Sequence, residues 1–474
     1  MPTIIQWVNH LAAQIDEQTE YAKQYEARYR NEHLLPFIQR EYAEVYGSGP
    51  VERALSGPEA PRAGTAAVVV DALSDRLVVI GATSQDADAA KVVEAAWLEN
   101  DFDVMHREGH REALIKRVAF GQVSRSADGE RAILSVDTAE QMAVHRESGP
   151  PYDVDAALKV TVDEWTGRRS AHLWLPGRNV RLTEAASATP DPEGSGVSSR
   201  WVVTGEEASG FSRVPVVELP SRPRLIAKPV SEIETIRTHV DMIDLIDGLM
   251  VFAGHFGAVP IRYGTGLTIP RDPKDPTKPL LGPDGKPMLG FDYRADRMWV
   301  STNDDARFGQ LTPAGLDSFV AWAQHAASRI RAKTGVASTY LSLELKSHMS
   351  AELLKTDEAP MVRRVRSMGE RGVFNQAWRR LNGLILEVES PNSRAVVQPR
   401  WEDPQTRVET QDADVFAKLA PHLGAATLAQ EVLGWSPDEA KRGVAEAEAA
   451  RALTADPMVS LLSKPLTDAA AGDG

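Results

Sequence analysis

VPVVELPSRPRLIAKPVSEIETIRTHVDMIDLIDGLMVFAGHFGAVPIRYGTG, residues 214–266, reads as a strand, a proline-rich hinge and one long amphipathic helix ending at another proline. Ile233, Ile236, Val240, Ile243, Ile246, Leu249 and Phe252 recur every three or four positions, the period of a helix with one buried face. Ser231 is the N-cap, with Glu232 and Glu234 in the first turn, and Gly257 and Pro260 stop the far end. At 1.5 Å per residue such a helix is about 40 Å long. A segment rich in Pro and Gly follows over 258–311, with a hairpin turn at Asp284-Gly285. A second helix then starts with Thr312 as N-cap and Pro313 as first helical residue, carries the stripe Leu316, Phe319, Val320, Ala323, Ala327 and Ile330, and ends at Gly335. Helix, insertion, helix is the plan of the middle of the chain.

Outward from this centre, residues 1–46 read as one or two helices, 47–64 as a Gly/Pro loop, 67–80 as a helix running into a strand, and 87–98 as helical. Short strands with turns at Asp128-Gly129 and Gly149-Pro150-Pro151 occupy 116–163. Hairpin strands over 165–182 and 200–203 flank a polar loop at 185–199. Downstream, a third helix begins near Ser350, is bent at Pro360 and resumes through Val362, Val365, Phe374, Trp378, Leu381, Leu384 and Leu386. Strands near Val396 and Val408 lead into a tail of three short, Ala-rich helices over 411–453.

Composition narrows the function classes. The 474 residues, 42% hydrophobic and 25% charged, suffice for a buried core. Without a cysteine, neither disulfides nor thiolate chemistry is available, and stability has to come from packing and assembly. The N-terminus lacks the basic and apolar regions of a secretion signal, and no apolar run has the length of a membrane span, which points to a reducing, aqueous compartment. A net charge of −14 argues against a tight, stationary nucleic-acid binder, since phosphate binding depends on Lys and Arg displacing counterions.

Catalytic patterns are weak. VVIGATSQDADAAK has one glycine where a dinucleotide turn needs three, so a strand leading to a capped helix is the simpler reading. No G-x-x-x-x-G-K-[ST] occurs, which excludes a P-loop motor. His106 and His110 have i, i+4 spacing, but Arg107, Arg111, Lys116 and Arg117 would oppose a cation, and a solvated charged face is expected there. Asp241, Asp244 and Asp247 likewise read as a solvated or lumen-facing surface. No catalytic, metal or cofactor site is expected.

The run SRPRL…PVSEIETI…DMIDLIDGLM…FGAVPIRYGTG resembles the approach to the stem helix in portal proteins of tailed double-stranded DNA bacteriophages, of the long non-contractile tail type. VVVDALSDRLVVIGA (68–82), AAWLENDFDVMHREGHREALIKRVAFGQV (95–123) and RMWVSTNDDARFGQLTPAGLDSF (297–319) agree in the same order. So do TGVASTYLSLELKSHMSAELLKTDEA (334–359), VFNQAWRRL (373–381) and VVQPRWEDPQTR (396–407), so that the similarity spans most of the chain.

The resemblance implies an α+β portal fold assembled as a ring, most often of twelve subunits, at one capsid vertex. By it, 1–228 is the N-terminal wing, 229–256 the first stem helix, 257–311 an α/β clip, 312–334 the second stem helix, 335–349 the tunnel loop, 350–410 the wing helix and strands, and 411–474 the crown and tail. Double-stranded DNA would pass through without sequence preference, along a wall whose acidity avoids holding it. The implied partners are the terminase large subunit, the head-tail adaptor, and the major capsid and scaffold proteins; the implied setting is the virion, after assembly in the host cytoplasm. Ser338, Thr339, Tyr340, Lys346 and His348 would face DNA from the tunnel loop, with small residues letting it flex. Asp284, Gly285 and Lys286 would face the adaptor or terminase from the clip. Arg363, Arg364, Arg366 and Arg371 lie in a basic concentration, for which salt bridges between subunits, with Glu402 and Asp403 among the partners, are expected over direct DNA contact. A different virion structural or adaptor protein, or a nucleotide-binding enzyme built on the Gly81 turn, are the alternatives.

Overall fold

The structure is a computed structural model and describes residues 2–34, 61–146, 154–190, 198–225, 227–258, 262–266, 271–281, 305–310, 315–341, 350–406, 416, 418–420, 423–432, 435 and 437–455. In chain order, α1 (Ile4–Tyr29), α2 (Thr65–Ser74), β1 (Val79–Thr83), α3 (Ala87–Glu99) and α4 (Phe102–Lys116) precede the strands β2 (Val118–Arg125), β3 (Ala132–Thr138) and β4 (Met142–Arg146). Next come β5 (Val154–Val162), β6 (Arg169–Leu175), β7 (Arg178–Pro190), β8 (Ser198–Ala208), β9 (Val216–Pro220) and the long α5 (Glu232–Ala258). Small strands β10 (Arg262–Thr265), β11 (Arg271–Asp272), β12 (Asp275–Pro279) and β13 (Arg307–Gln310) lie between α5 and α6 (Asp317–Thr334). The single turn α7 (Ser338–Leu341), α8 (Ala351–Met368), α9 (Val373–Glu389), β14 (Gln398–Trp401), α10 (Ala425–Glu431) and α11 (Pro437–Ala455) complete an α+β architecture.

Two antiparallel sheets organise the N-terminal half: β3-β2-β9, and the meander β4-β5-β6-β7-β8. Alternation along β5 divides its side chains between two cores. Leu158 and Val160 meet the α1 residues Ile5, Val8, Leu11 and Ile15, while Ala157, with Trp174 of β6, meets Phe120 and Val216 of the other sheet. A capping box starts α1, in which Thr3 Oγ accepts from Gln6 N and Gln6 Oε1 accepts from Thr3 N. The largest core gathers α2, α3, α4, the first half of α5, and α9 around Trp378, Phe102 and Phe374. One strand pair, β1 with β14, closes this core across more than three hundred residues of sequence, with Val79 opposite Trp401.

Four expectations change. The stretch 185–199 is not an open polar loop at its ends, because β7 runs to Pro190 and β8 starts at Ser198. Register shifts within this pair, at Arg181/Leu182 and Glu184/Thr189, break the two-residue alternation that would have revealed it. The third long helix is two helices. α8 runs through Pro360 and the chain is interrupted at Gly369–Gly372 instead, where a Cβ on Gly372 would collide with the carbonyls of Ser367 and Met368. The 165–182 stretch is also split, into β6 and β7 by a turn at Pro176-Gly177, with Trp165 on the earlier turn between β5 and β6. Ser231 and Gly335 do bound their helices as expected, Gly335 at φ +75°. The second helix also starts later than Pro313, since Gly315 and Leu316 are not helical and α6 opens at Asp317 with Leu316 as N-cap; Thr312, Pro313, Asp284, Gly285 and Lys286 themselves lie outside the described residues.

Candidate functional site

The chemistry-bearing residues concentrate where α5 and α6 leave the core. Lys333, at the end of α6, donates to the carbonyl of Thr235, at the start of α5, over 3.0 Å, so the two helices run antiparallel. Ile233, Ile236, Val240, Ile243 and Ile246 are buried on α5, and Ala323, Ala326 and Ile330 on α6. Farther out the pair keeps apolar surface: Trp322 and Val251 are each 58% exposed, and Leu316 is 41% exposed although it opens the predicted stripe. His239, facing His325, Arg329 and Lys333 across the pair, is held below its ordinary pKa, first by partial burial and then by those charges.

Buried ionic contacts fix the root of the pair. Glu232 is fully buried and accepts from Arg222 Nε and Nη2 at 2.9 and 2.8 Å, with Arg364 pairing to the same carboxylate. Arg28 of α1 makes a bidentate pair with Asp241, and His33 Nε2 lies 3.2 Å from Asp244 Oδ2, whose other oxygen accepts from Ala63 N. Asp241 and Asp244 therefore do not form a solvated or lumen-facing array: both are buried, and they tie the N-terminal helix to α5. Asp247 is half-buried, and burial, with Asp244 nearby, pushes its carboxyl up. No periodicity argument could find Arg28 and His33, which come from more than two hundred residues away.

The histidine expectation also reverses. His106 and His110 are completely buried rather than solvated. His106 Nδ1 donates to Phe102 O at 2.9 Å while its Nε2 accepts from Val79 N at 3.0 Å. His110 Nδ1 donates to Leu77 O at 2.9 Å while its Nε2 accepts from Trp378 Nε1 at 2.8 Å. Each neutral ring is satisfied at both nitrogens, and burial pushes the pKa values down, to about 4 for His106 and about 3 for His110. A signal existed in the sequence, because Phe102, His106, His110 and Ala113 share one helical face. Among the described residues no group of three or more His, Cys, Asp or Glu has the arrangement of a metal site.

Of the proposed tunnel-loop residues, Ser338 is not a flexible link. Its N and Oγ both donate to Asp357 Oδ2, at 2.7 and 2.8 Å, and Arg331 pairs with the same carboxylate. Tyr340 is exposed, and its hydroxyl accepts from Arg76 Nη1 at 2.9 Å; Arg76 also pairs with Glu358. Thr339 is exposed, whereas Lys346 and His348 lie outside the described residues. In the arginine cluster, Arg366 pairs with Asp403 at 2.8 Å and Arg364 with Glu232, both within one chain. Arg363, Arg371 and Glu402 are exposed. The Gly81 turn cannot serve as a phosphate cradle as it stands. Glu94 Oε1 accepts from Ala82 N at 2.8 Å and fills the space beside Gly81.

Comparison with known proteins bears on what this arrangement serves. The family described as phage portal protein, SPP1 Gp6-like, matches residues 62–452. A portal protein of Mycobacterium phage D29 is 25% identical over 366 residues, covering 74% of this chain and 70% of the relative, and one from Mycobacterium phage L5 is 25% identical over 365 residues with the same coverage. Among solved structures, a chain in the neck of an empty gene transfer agent particle, computed with C6 symmetry, aligns at TM-score 0.45 and 13% identity over 84% of this chain and 99% of that one. A chain of the native gene transfer agent virion aligns at TM-score 0.43 and 11% identity, covering 78% of this chain and 89% of its own length. With the family match extending over most of its length, the chain belongs to the phage portal proteins of the SPP1 Gp6-like family and functions as a portal protein.

Proposed function

We propose that the chain is the repeating subunit of a ring, of twelve copies as the resemblance implies, that forms the channel for packaging and ejecting viral DNA at one capsid vertex. The α5–α6 pair carries this reading. It is rooted by buried ion pairs, yet Trp322 and Val251 remain uncovered in a single chain, and apolar surface of that kind on a rigid element is satisfied by a neighbouring copy. In this reading the pair is the stem, 257–311 is the clip that meets the terminase large subunit and later the head-tail adaptor, 335–349 is the tunnel loop, 411–474 the crown and tail, and the remainder the wing that meets capsid and scaffold proteins. Arg363, Arg371 and Glu402 are the interface candidates left unspent by the intramolecular pairs. Lys346 and His348 are the cations nearest passing phosphates. Assembly takes place in the host cytoplasm, and the subunit has no catalysis of its own.

Light scattering coupled to size exclusion should give a mass near a dozen times the 51.7 kDa chain, and negative-stain images should show rings with a central hole. A stable dimer under all conditions would overturn the ring reading. Metal-dependent ATP hydrolysis or DNA cleavage by the purified protein would overturn its non-catalytic part.

A further inference from the structure

The most exposed tryptophan of the described residues stands on a turn held by its own hydrogen bonds. Trp165 is 96% exposed at the tip between β5 and β6. Its position is set by Asp163, whose Oδ1 accepts from Trp165 N at 2.9 Å and Thr166 N at 2.8 Å, while Gly167, at φ +66°, returns its N–H to the Asp163 carbonyl. Those backbone donors, Thr166 first, also hold the Asp163 carboxyl below its usual range. One exposed apolar side chain is ordinary on a protein surface. A fully exposed indole on a turn already ordered is less so, because the backbone beneath it loses little freedom on docking and tryptophan dominates interface energetics.

A receptor of matching character lies at the opposite end of the same strand. Val154, which opens β5, lines a cavity of about 270 Å³ between β9 and α9, floored by Val216, Val217, Ala377 and Leu384. A cavity of about 150 Å³ already accepts a benzene ring, so this one has room for an indole. Arg146, Arg213, Arg224 and Arg380 stand around it against a single acid, Glu218, which is buried beside Arg146 and pushed up by that burial. The tryptophan turn carries Asp163 and Glu164 against Arg168. Apolar knob and apolar cavity thus have complementary rims. The nine-residue β5 separates the two by about 27 Å, so a subunit cannot fill its own cavity. Two different patches on separate parts of one subunit are what a head-to-tail contact requires.

The geometry points to a knob-and-cavity contact in which Trp165 of one copy enters the β9–α9 cavity of the next, with Glu164 against Arg213 or Arg224. This rests on the ring reading above. The cysteine-free chain makes the test clean. Thr166→Cys and Leu225→Cys are introduced singly and together, since Leu225 is 86% exposed and lines the cavity. Assembled protein is then treated with a short bis-maleimide. The double variant should give a ladder of covalent oligomers on a denaturing gel and each single variant none. Trp165→Ala should raise the subunit concentration needed for assembly about tenfold or more, with an unchanged circular-dichroism spectrum. Rings in the electron microscope without a ladder, or an unaffected Trp165→Ala, would overturn this contact while leaving the channel reading intact. Absence of rings in the wild-type protein would sink the channel reading, and this contact with it.

Discussion

Two buried polar regions of the same molecule are built on opposite electrostatic plans. In the largest core, His106 and His110 sit neutral among Trp97, Phe102, Phe374 and Trp378, each ring nitrogen matched to a fixed donor or acceptor. At the α1–α5 junction, Asp241 is buried against the Arg28 guanidinium and Asp244 faces His33. The first region avoids the cost of burying charge by never carrying it; the second offsets that cost by pairing. The first is therefore vulnerable to gaining a proton, and the second to losing a partner.

Acid is the largest lever on this contrast. The folded pKa values of His106 and His110 lie below the ordinary 6.5, so the folded state binds fewer protons than the unfolded chain between those limits. Their contribution is fully present above about pH 6.5 and is lost as pH falls toward 4, on the order of 3 kcal/mol for each histidine. Thermal melts from pH 7 to 4 should show this loss. His110→Phe should melt lower at pH 7, because Trp378 Nε1 and the Leu77 carbonyl lose their partner, and should have a shallower pH slope. An unchanged slope would contradict the neutral-core account.

Next in size is the junction. Arg28→Met leaves buried Asp241 without its bidentate partner, with only His33 Nε2 3.5 Å from Oδ1, and should cost about 3–5 kcal/mol in urea unfolding. Adding Asp241→Asn should recover part of that loss, since the remaining group is uncharged. If Arg28→Met behaves like a surface change, the junction does not hold α1 to α5. The smallest effect belongs to the exposed pair Arg366–Asp403, where Arg366→Ala should cost less than about 1 kcal/mol and less still at high salt. A larger loss appearing only in the assembled protein would show that this pair has a neighbour in the ring.

Local rules carried the long elements. The apolar stripes of α5 and α9, the inner part of the α6 stripe, the Ser231 cap, the helix start near Ser350 and the Gly335 stop were legible because each depends on residues within a few positions of one another. The full length of β7 and β8 escaped because register shifts erase the alternation, and the break at Gly369–Gly372 because a proline nearby was the stronger breaker by composition. The candidate site divides the same way. Tyr340 and Thr339 are exposed where a loop was expected, whereas Ser338 is spent on Asp357, a residue of the next long helix that spacing cannot place beside it.

By itself, then, the sequence determined the helix–insertion–helix plan, the ordered blocks that mark the family, and the exclusion of thiolate and P-loop chemistry. Whether a charged or polar side chain faces water was decided only in three dimensions. Periodicity reports which residues share a face; it does not report what comes to cover that face. Arg28 reaches Asp241, Trp378 reaches His110, and Val79 pairs with Trp401 from the far side of the chain, and those distant partners turned apparent surface residues into core.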